Sequence, residues 1–261
     1  MRTVSNAILT DRASKCIAVV DIDHFSQLND ALGHRYGDLM LKAVAARLTS
    51  RLPAGTVVAR LAADTFGILG DADKLSPDLL AAQFHTPFIA DGTEQSLTAT
   101  FGLARLSEIE GTGSEAVKSA NIALNLAKIN ARGEGIYFNR HMEFEARARL
   151  RLLRELRSAF DRERLFLVYQ PQYHLQARKM TGIEALLRWR ADDGNFIPPD
   201  KFIPLAESSG LIIALGAWVL RTACHDLKRL IDGGFEGLRI AINVSASQFR
   251  HPNFIGTIDQ V

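Results

Sequence analysis

The sequence predicts an α/β protein of two consecutive units, an α/β sandwich followed by part of a βα barrel. Short apolar strands and amphipathic helices mix in the first half in the order β-α-α-β-β-α-β-α-β, which combines a hairpin with crossover connections. An arginine-rich amphipathic helix follows, and beyond it strands alternate with helices as βα units do. We therefore expect one domain at residues 1–140, a connecting helix at 141–164 and a second domain at 165–261.

Apolar periodicity and capping residues locate the elements of the first domain. A β-branched run at Cys16–Asp21 is typical of a buried strand. Val57–Arg60 and Phe66–Leu69 flank a short turn and predict a hairpin. Ser76 and Ser114 begin helical patterns and are predicted to cap them. The other expected elements are helices from Phe25 and at Gly37–Leu52, Pro77–Phe84 and Ser114–Ala131, and strands at Leu97–Leu106 and Ile136–Asn139.

The segment from Met142 to Arg164 has an apolar stripe at helical spacing and is rich in arginine. Arginine-rich faces occur in proteins that bind nucleic acids or membranes. Five acidic residues interleave with the arginines of this segment, which favours a solvated helix that joins two domains. After it we expect βα units of a parallel sheet or barrel, with a helix at Leu211–Leu230 and strands at Leu165–Gln170, Ile183–Trp189 and Arg239–Val244.

Composition and charge narrow the class of protein. The 261 residues are 47% hydrophobic and 23% charged, which is typical of a soluble globular chain. Lysine and arginine number 31 against 29 acidic residues, and this balance argues against nucleic acid or an anionic membrane as the main partner. The two cysteines, Cys16 and Cys224, lie in apolar segments, which favours buried thiols in a reducing compartment.

Two further patterns concern location. The longest apolar run, Leu211–Leu220, is about half of the ~20 residues that a membrane span requires. The N-terminal stretch lacks the apolar core of a signal peptide. We therefore expect a cytoplasmic chain without a membrane segment, while a longer parent protein could carry an anchor or a sensor upstream.

Carboxylate and amide side chains cluster between residues 21 and 38. Asp21 ends an apolar strand, where a carboxylate and the backbone can face a cation, and Asp23 follows two residues later. Magnesium prefers hard oxygen ligands together with phosphate oxygens. Asn29 and Asp38 carry groups that can hydrogen-bond to a purine edge. A strand-end Asp taken alone is more often the cap of a turn or helix, and the spacing of the whole group favours a site.

The segment DIDHFSQLNDALGHRYGD at residues 21–38 resembles the signature of GGDEF domains, the diguanylate cyclase family. SANIALNLAKINARG at residues 119–133 and LTATFGLA at residues 97–104 resemble a helix and a strand of the same family. The resemblance covers Cys16–Asn139 and implies a nucleotide-cyclase-like α/β sandwich. By position it implies residues that bind metal (Asp21, Asp64), contact guanine (Asn29, Asp38) and approach phosphates (Lys128, Arg132).

The hairpin that corresponds to the family's Gly-Gly-Asp/Glu-Glu-Phe motif departs from it, since residues 62–66 are Ala-Ala-Asp-Thr-Phe. Glycine lets a backbone approach phosphate and adopt φ > 0, and two added methyl groups oppose both. Thr65 also removes an acidic group beside the metals. We therefore expect a degenerate, N-terminally clipped GGDEF domain without synthetic activity. Residual GTP binding through Asn29, Asp38 and Lys128 and a purely structural role both stay open.

The second half contains four ordered blocks, YQPQY at Tyr169–Tyr173, EALLRW at Glu184–Trp189, KFIPLAE at Lys201–Glu207 and INVSASQF at Ile242–Phe249. Glu184 and Asn243 fall on apolar strands, where a polar group needs a partner. A hydrogen-bonded core pair and a metal site at strand ends would both supply one. In order and spacing the blocks resemble the EAL family of cyclic di-GMP phosphodiesterases, a modified TIM-like βα barrel.

The EAL resemblance implies roles by position. Glu184, the motif's catalytic and metal-binding glutamate, and Asn243 would hold Mg²⁺ or Mn²⁺. Arg188 would engage phosphate, as a guanidinium does well. The family's later metal acids and catalytic lysine would fall beyond Val261, so that we expect a C-terminally truncated domain too short for catalysis. The other implied substrate contacts are Gln170, Leu186 and Glu207.

These resemblances predict a GGDEF–EAL tandem protein of cyclic di-GMP signalling. The parent would open cyclic di-GMP to the linear dinucleotide pGpG, with the degenerate first domain regulating the second. The alternative is a receptor that binds cyclic di-GMP without hydrolysing it, and intact later acids in the parent would favour the enzyme. An adaptor that binds nucleic acid or membrane through the arginine-rich helix is a third class, opposed by the interleaved acids. Domains of both families commonly dimerise, which allows a homodimer.

Overall fold

A computed structural model describes residues 11–176 and 178–261. The chain divides into two compact units, Met1–Ala146 and Arg147–Val261. The boundary falls within a helix at Arg140–Asp161, where the sequence predicts the connecting helix. Across the described ranges, no single helix is long and apolar enough to cross a membrane. One pair of consecutive helices, Pro199–Ser208 and Leu211–Asp232, has the length and apolar composition of a span when the two are taken together, and the chain bends by 119° between them.

The first unit arranges its strands in one main sheet and a small hairpin. The order in the main sheet is β2-β3-β1-β6-β7, with β1 antiparallel to β3 and β6, and β6 parallel to β7. The strands β4 and β5 pair with each other. In chain order the elements are β1 Lys15–Ile22, α1 Phe25–Leu32, α2 His34–Arg51, β2 Val57–Arg60, β3 Thr65–Asp71, α3 Pro77–Ala82, β4 Phe88–Ala90, β5 Thr93–Gln95, β6 Ala99–Arg105, α4 Gly113–Asn130 and β7 Gly135–Tyr137; the next helix, α5 Arg140–Asp161, continues into the second unit.

The central strand β1 is buried on both faces of this sheet. Successive side chains of a strand point to opposite faces. Ala18 and Val20 therefore join the apolar cluster that includes the buried face of α2. Ile17 and Val19 join the cluster on the other side, which includes the alanines of α4. The unit is an α/β/α sandwich, as the sequence predicts.

A glycine allows α4 to lie directly against the sheet. An added Cβ at Gly102 of β6 would stand 2.1 Å from the carbonyl oxygen of Ala120 and 2.2 Å from the backbone nitrogen of Leu124. Both are backbone atoms of α4, which a side-chain rotation cannot move aside. This close approach carries the C-terminal part of α4, with Lys128, over the end of β1.

The second unit is a mixed sheet with helices on one face. β9 is antiparallel to β8 and β10 and parallel to β11, and α6 and α7 form the crossover between β9 and β11. Trp189 of β9 packs edge-on against Phe202 of α6, with ring centroids 5.6 Å apart. The elements are β8 Leu165–His174, β9 Lys179–Arg190, β10 Phe196–Ile197, α6 Pro199–Ser208, α7 Leu211–Asp232, β11 Arg239–Ile242, α8 Ala246–Phe249 and α9 Phe254–Asp259.

The structure corrects several local predictions. The expected parallel pairing holds for β9 and β11, whereas β8 and β9 form an antiparallel hairpin because a parallel crossover needs about a dozen residues or more. Thr112, rather than Ser114, is the N-cap of α4, and its backbone N–H donates to Glu115 Oε2 at 2.6 Å. The β4–β5 hairpin and α6 were not predicted from the sequence.

The two cysteines differ in burial. Cys16 is fully buried in β1, and burial raises the pKa of its thiol to about 12. Cys224 on α7 is half-buried, so the expectation of two buried thiols is correct for Cys16 alone. Both are free thiols.

Candidate functional site

The predicted acidic residues of the first unit meet at the C-terminal end of β1. In the sheet register, Asp21 lies opposite Thr65 of β3 on one side and Thr100 of β6 on the other. The backbone N–H of Ile22 donates to the carbonyl oxygen of Asp64 at 3.2 Å. The turn that carries Asp64 therefore lies beside Asp21.

Both carboxylate oxygens of Asp21 have partners from the chain itself. Lys128 Nζ lies 2.6 Å from Asp21 Oδ1. The hydroxyl of Thr65 donates to Asp21 Oδ2 at 3.2 Å. The Asp21 side chain is 15% exposed and that of Lys128 is 29% exposed, so this ion pair is partly shielded from water.

The charges of Asp21 and Lys128 also act on the carboxyl group of Asp64. Burial, and then the negative charge of Asp21, raise the pKa of the Asp64 carboxyl. A backbone hydrogen bond and the positive charges of Lys128 and Arg60 oppose this rise. Asp21 and Asp64 therefore repel each other, and Lys128 supplies positive charge to both.

Asp23 is the centre of a separate buried network. Its side chain is 1% exposed and accepts hydrogen bonds from Thr98 at 3.0 Å and Thr100 at 2.7 Å. Thr100 Oγ1 in turn accepts from the backbone N–H of Gly133 at 3.0 Å. Arg132, predicted to approach phosphate, has its guanidinium 3.8 Å from Asp23. This network ties β1 and β6 to the segment after α4.

The two residues predicted to contact guanine lie on α1 and α2. Asn29 is half-buried, and a Cβ added to Gly37 would stand 1.9 Å from Asn29 Oδ1, so that the amide lies over Gly37. Asp38 is the next residue and is exposed. It lines a groove of about 370 Å³ together with Val58 and Arg60. The close packing of Asn29 on Gly37 brings the two predicted purine contacts together.

The hairpin turn at residues 61–65 is held by a side chain. Arg60 donates to the carbonyl oxygens of Ala62 and Ala63 at distances of 2.6–3.2 Å. In the described chain the non-glycine residues with positive φ are His24, Asp91, Glu163 and Arg178, and neither alanine is among them. The expected conformational cost of replacing glycine therefore does not arise at this turn.

In the second unit, the predicted EAL residues share one face of the β8–β9 hairpin. Gln170 lies opposite Glu184 in the antiparallel register. Strand alternation places Leu186 and Arg188 on the same face of β9 as Glu184. Asn243 follows β11, and its amide Nδ2 donates to Glu184 Oε1 at 2.8 Å. The structure thus joins three strands at Glu184.

A cavity lies between β9 and the helices α6 and α7, and apolar side chains of both helices line it, among them Ile203 and Leu215. β11 ends opposite Ala185 and β10 pairs from Trp189 onward, so that residues 186–188 have no partner from β10 or β11 on that edge of β9. The cavity has a volume of about 280 Å³ and opens at this gap. The predicted site residues that line it are Leu186, Arg188, Glu207 and Asn243.

The two groups of carboxylates differ in how they suit a cation. Glu184 offers a carboxylate beside the amide of Asn243, whose oxygen and nitrogen are assigned from the hydrogen bond. Two such oxygens suit part of the shell of Mg²⁺, which keeps waters and phosphate oxygens as its other ligands. Asp21 does not suit a cation equally well, because Lys128 and Thr65 occupy its oxygens. Over the ranges that the structure describes, no three His, Cys, Asp or Glu residues come together as a metal cluster.

Sequence reasoning missed two polar contacts. The hydroxyl of Tyr169, in the YQPQY block, donates to Asp226 Oδ2 of α7 at 2.5 Å. Burial, and then this hydrogen bond, raise the pKa of Tyr169. The period-two pattern of Thr98 and Thr100 places both hydroxyls on one face and was the available signal for the network around Asp23.

Two family models match the chain. The model described as "Diguanylate cyclase, GGDEF domain" matches residues 2–134, and the one described as "EAL domain" matches residues 153–261. A structure of the GGDEF domain of TpbB (YfiN) from Pseudomonas aeruginosa matches with a TM-score of 0.51 and 27% identity, covering 56% of this chain and 91% of that chain.

Curated relatives match nearly the whole chain. The bifunctional diguanylate cyclase/cyclic di-GMP phosphodiesterase MucR of Pseudomonas aeruginosa is 35% identical over 98% of this chain and 38% of its own length. The cyclic di-GMP phosphodiesterase NbdA of the same species is 34% identical over 98% of this chain and 34% of its own length. The chain therefore spans about a third of the length of these relatives.

Proposed function

The chain belongs to the GGDEF–EAL tandem proteins, and on that premise we propose that its second unit binds cyclic di-GMP together with Mg²⁺ or Mn²⁺. The proposal places this unit in a phosphodiesterase that opens the ring to linear pGpG. One observation supports it above the others. Asn243 hydrogen-bonds to Glu184, and Asn243 also lines a cavity together with Leu186, Arg188 and Glu207.

Each residue has a role that suits its chemistry. The Arg188 guanidinium binds a phosphate of the dinucleotide, and Leu186 and Gln170 contact its nucleoside part. Glu184 and Asn243 would hold the cation, which would supply positive charge beside the phosphate and lower the pKa of a bound water. Water adds to phosphorus, one ester bond breaks, and the proton lost from water passes to the leaving oxygen. Glu207 is an acid at the rim of the cavity and is exposed.

For the first unit we propose a regulatory role without cyclase activity. Its support is the occupation of both Asp21 oxygens by Lys128 and Thr65. GTP remains a candidate ligand through Asn29 and Asp38, of which Asp38 lines an open groove, whereas Lys128 is engaged by Asp21. A homodimer belongs to the same proposal and is tested by light scattering.

The alternative proposal is a receptor that binds cyclic di-GMP without hydrolysing it. The observation that favours it is the donor set at Glu184, one carboxylate and one amide. Hydrolysis by two divalent cations needs more anionic ligands than this pair supplies. We therefore expect binding by this chain with little or no hydrolysis.

The test is calorimetric titration of the 261-residue chain with cyclic di-GMP and Mn²⁺, followed by chromatography for pGpG. We expect binding that is lost in Arg188→Ala and weakened in Glu184→Ala. Glu236→Ala, an exposed carboxylate outside the cavity, is the matched control and should bind as the parent does. Absence of binding, or equal binding by all variants, would contradict the site. Product that disappears in Glu184→Ala would favour the enzyme over the receptor, and incubation with GTP should give no cyclic di-GMP.

A further inference from the structure

Two aromatic rings and an arginine meet where β10 pairs with the end of β9. The ring centroids of Phe166 and Phe196 lie 6.0 Å apart, and the ring planes form an angle of 61°. The guanidinium carbon of Arg190 lies 5.4 Å from the centroid of each ring. Phe196 is 61% exposed, so most of its ring is open to solvent. We call these three residues the aromatic platform.

The sheet register places the platform on the same face as Glu184. Phe166 lies opposite Arg188, and Phe196 lies opposite Arg190. Side chains that lie opposite each other, or two residues apart on one strand, point to the same face. Arg190 therefore shares the face of Glu184 and Arg188, about 7 Å beyond Arg188 along the strand.

A groove of about 430 Å³ connects the platform with the cavity described above. Phe166, Phe196 and Pro198 line the groove, and Arg188 lines both the groove and the cavity. In the part of the chain that the structure describes, no carboxylate forms an ion pair with Arg188 or Arg190. Both guanidinium groups therefore keep their charge for an anionic ligand.

We propose that the aromatic platform holds one guanine base of bound cyclic di-GMP, stacked on the Phe196 ring beside the Arg190 guanidinium, while Arg188 holds the adjoining phosphate. The inference rests on the binding of cyclic di-GMP proposed above and adds the residues that hold a base. Nucleic acid bases stack on aromatic rings, and arginine adds a cation–π contribution.

The chemistry of the platform favours a nucleotide over a purely apolar ligand. An apolar ligand would cover Arg190 without offering it an anion, and covering an unpaired guanidinium costs free energy. A nucleotide brings a π face for the ring and negative charge for the guanidinium. Phe166 meets Phe196 in an edge-type geometry, which aromatic pairs prefer. This contact holds the Phe196 ring before the base arrives and reduces the entropy lost on binding.

The first experiment is calorimetric titration of the 261-residue chain and its variants with cyclic di-GMP and Mg²⁺. We expect Phe196→Ala to weaken binding by about tenfold, because stacking of one base on an aromatic ring contributes that much. Phe196→Trp keeps an aromatic face and should bind as the parent does. Phe249→Ala is the matched control, since it removes an exposed ring that pairs with Phe254 and lines neither the groove nor the cavity.

A second measurement separates stacking from a purely structural role. In NMR spectra of the parent complex, the ring current of Phe196 should shift the H8 signal of one guanine upfield. Phe196→Leu keeps an apolar side chain without a ring and should remove this shift, with urea unfolding showing that the variant is folded.

The outcomes separate this inference from the function on which it rests. If the parent chain binds cyclic di-GMP and the Phe196 variants bind equally well, or if neither guanine H8 shifts upfield in the parent complex, the platform is overturned and the proposed binding stands. The H8 measurement on the parent does not require that any variant folds. If the parent chain does not bind cyclic di-GMP, both proposals are overturned.

Discussion

The carboxylates of the two units lie in opposite settings. In the first unit, Asp21 and Asp23 accept from a lysine ammonium and from threonine hydroxyls, and the Asp23 side chain is almost fully buried. In the second unit, Glu184 is half-buried and its hydrogen-bond donor is the neutral amide of Asn243. A carboxylate neutralised by its own chain contributes to folding, whereas one beside a neutral amide keeps its charge for a ligand.

The largest expected effect comes from Gly102→Ala, because it disturbs the packing that carries Lys128 to Asp21. The added Cβ meets backbone atoms at 2.1 and 2.2 Å, and α4 must shift. We expect a loss of about 3 kcal/mol in the free energy of unfolding, measured with urea. Gly70→Ala is the control, since its nearest contact is the side chain of Thr56 at 3.2 Å. Equal losses in the two variants would contradict the close approach of α4.

Asp23→Asn tests the buried carboxylate of the first unit. The amide would place an N–H against threonine hydroxyls that now donate to a carboxylate. We expect the variant to lose about 2 kcal/mol in the free energy of unfolding, measured with urea, because hydrogen bonds to a charged group contribute about this much. Asp38→Asn, at an exposed position on α2, should change stability by less than about 0.5 kcal/mol. If Asp23→Asn is as stable as Asp38→Asn, the network is not a stabilising one.

Glu184→Gln tests the carboxylate of the second unit, which is half-buried. Its Oε1 can still accept from Asn243, so we expect a change in unfolding free energy below about 0.5 kcal/mol. The lost negative charge should abolish Mn²⁺ binding to the second unit, as measured by electron paramagnetic resonance. A strong destabilisation with Mn²⁺ binding retained would reverse the roles assigned to the two units.

The smallest effect concerns a surface carboxylate. Hydrogen bonds from Lys15 and Lys74 lower the pKa of Asp71 to about 2. Because the folded pKa lies below the unfolded value of about 4, the stabilisation is present above pH 4 and is lost as the pH falls toward 2. The pKa of each lysine is raised, so their contribution is lost only at alkaline pH. In the Asp71→Asn variant the melting temperature should fall less steeply between pH 5 and pH 2 than in the parent chain. An equally steep fall in both would contradict the pairing.

Local patterns predicted much of the fold. The buried strand at Cys16–Asp21 and the hairpin turn after Val57–Arg60 were predicted from neighbouring residues, and the structure confirms both. The antiparallel pairing of β8 with β9 was missed, because partner choice is decided by tertiary contacts. The Thr112 cap lies two residues from the predicted Ser114, and both residue types suit an N-cap.

The candidate sites were predictable to different degrees. The blocks around Glu184 and Asn243 named residues that the fold then brings to within hydrogen-bond distance. The pairing of Lys128 with Asp21 could not be foreseen, because it depends on how closely α4 approaches the sheet at Gly102. Spacing along the chain carries no information about that distance.

One measurement compares both sites in the unsubstituted chain, the broadening of assigned backbone amide signals by substoichiometric Mn²⁺ in solution NMR. We predict that amides of residues 183–185 and 242–244 broaden, because Glu184 and Asn243 hold the cation. Amides of residues 20–23 and 64–66 should keep their linewidths, because the Lys128 ammonium occupies Asp21. Broadening at residues 20–23 and 64–66, with none around Glu184, would contradict the central claim that the cation site lies in the second unit.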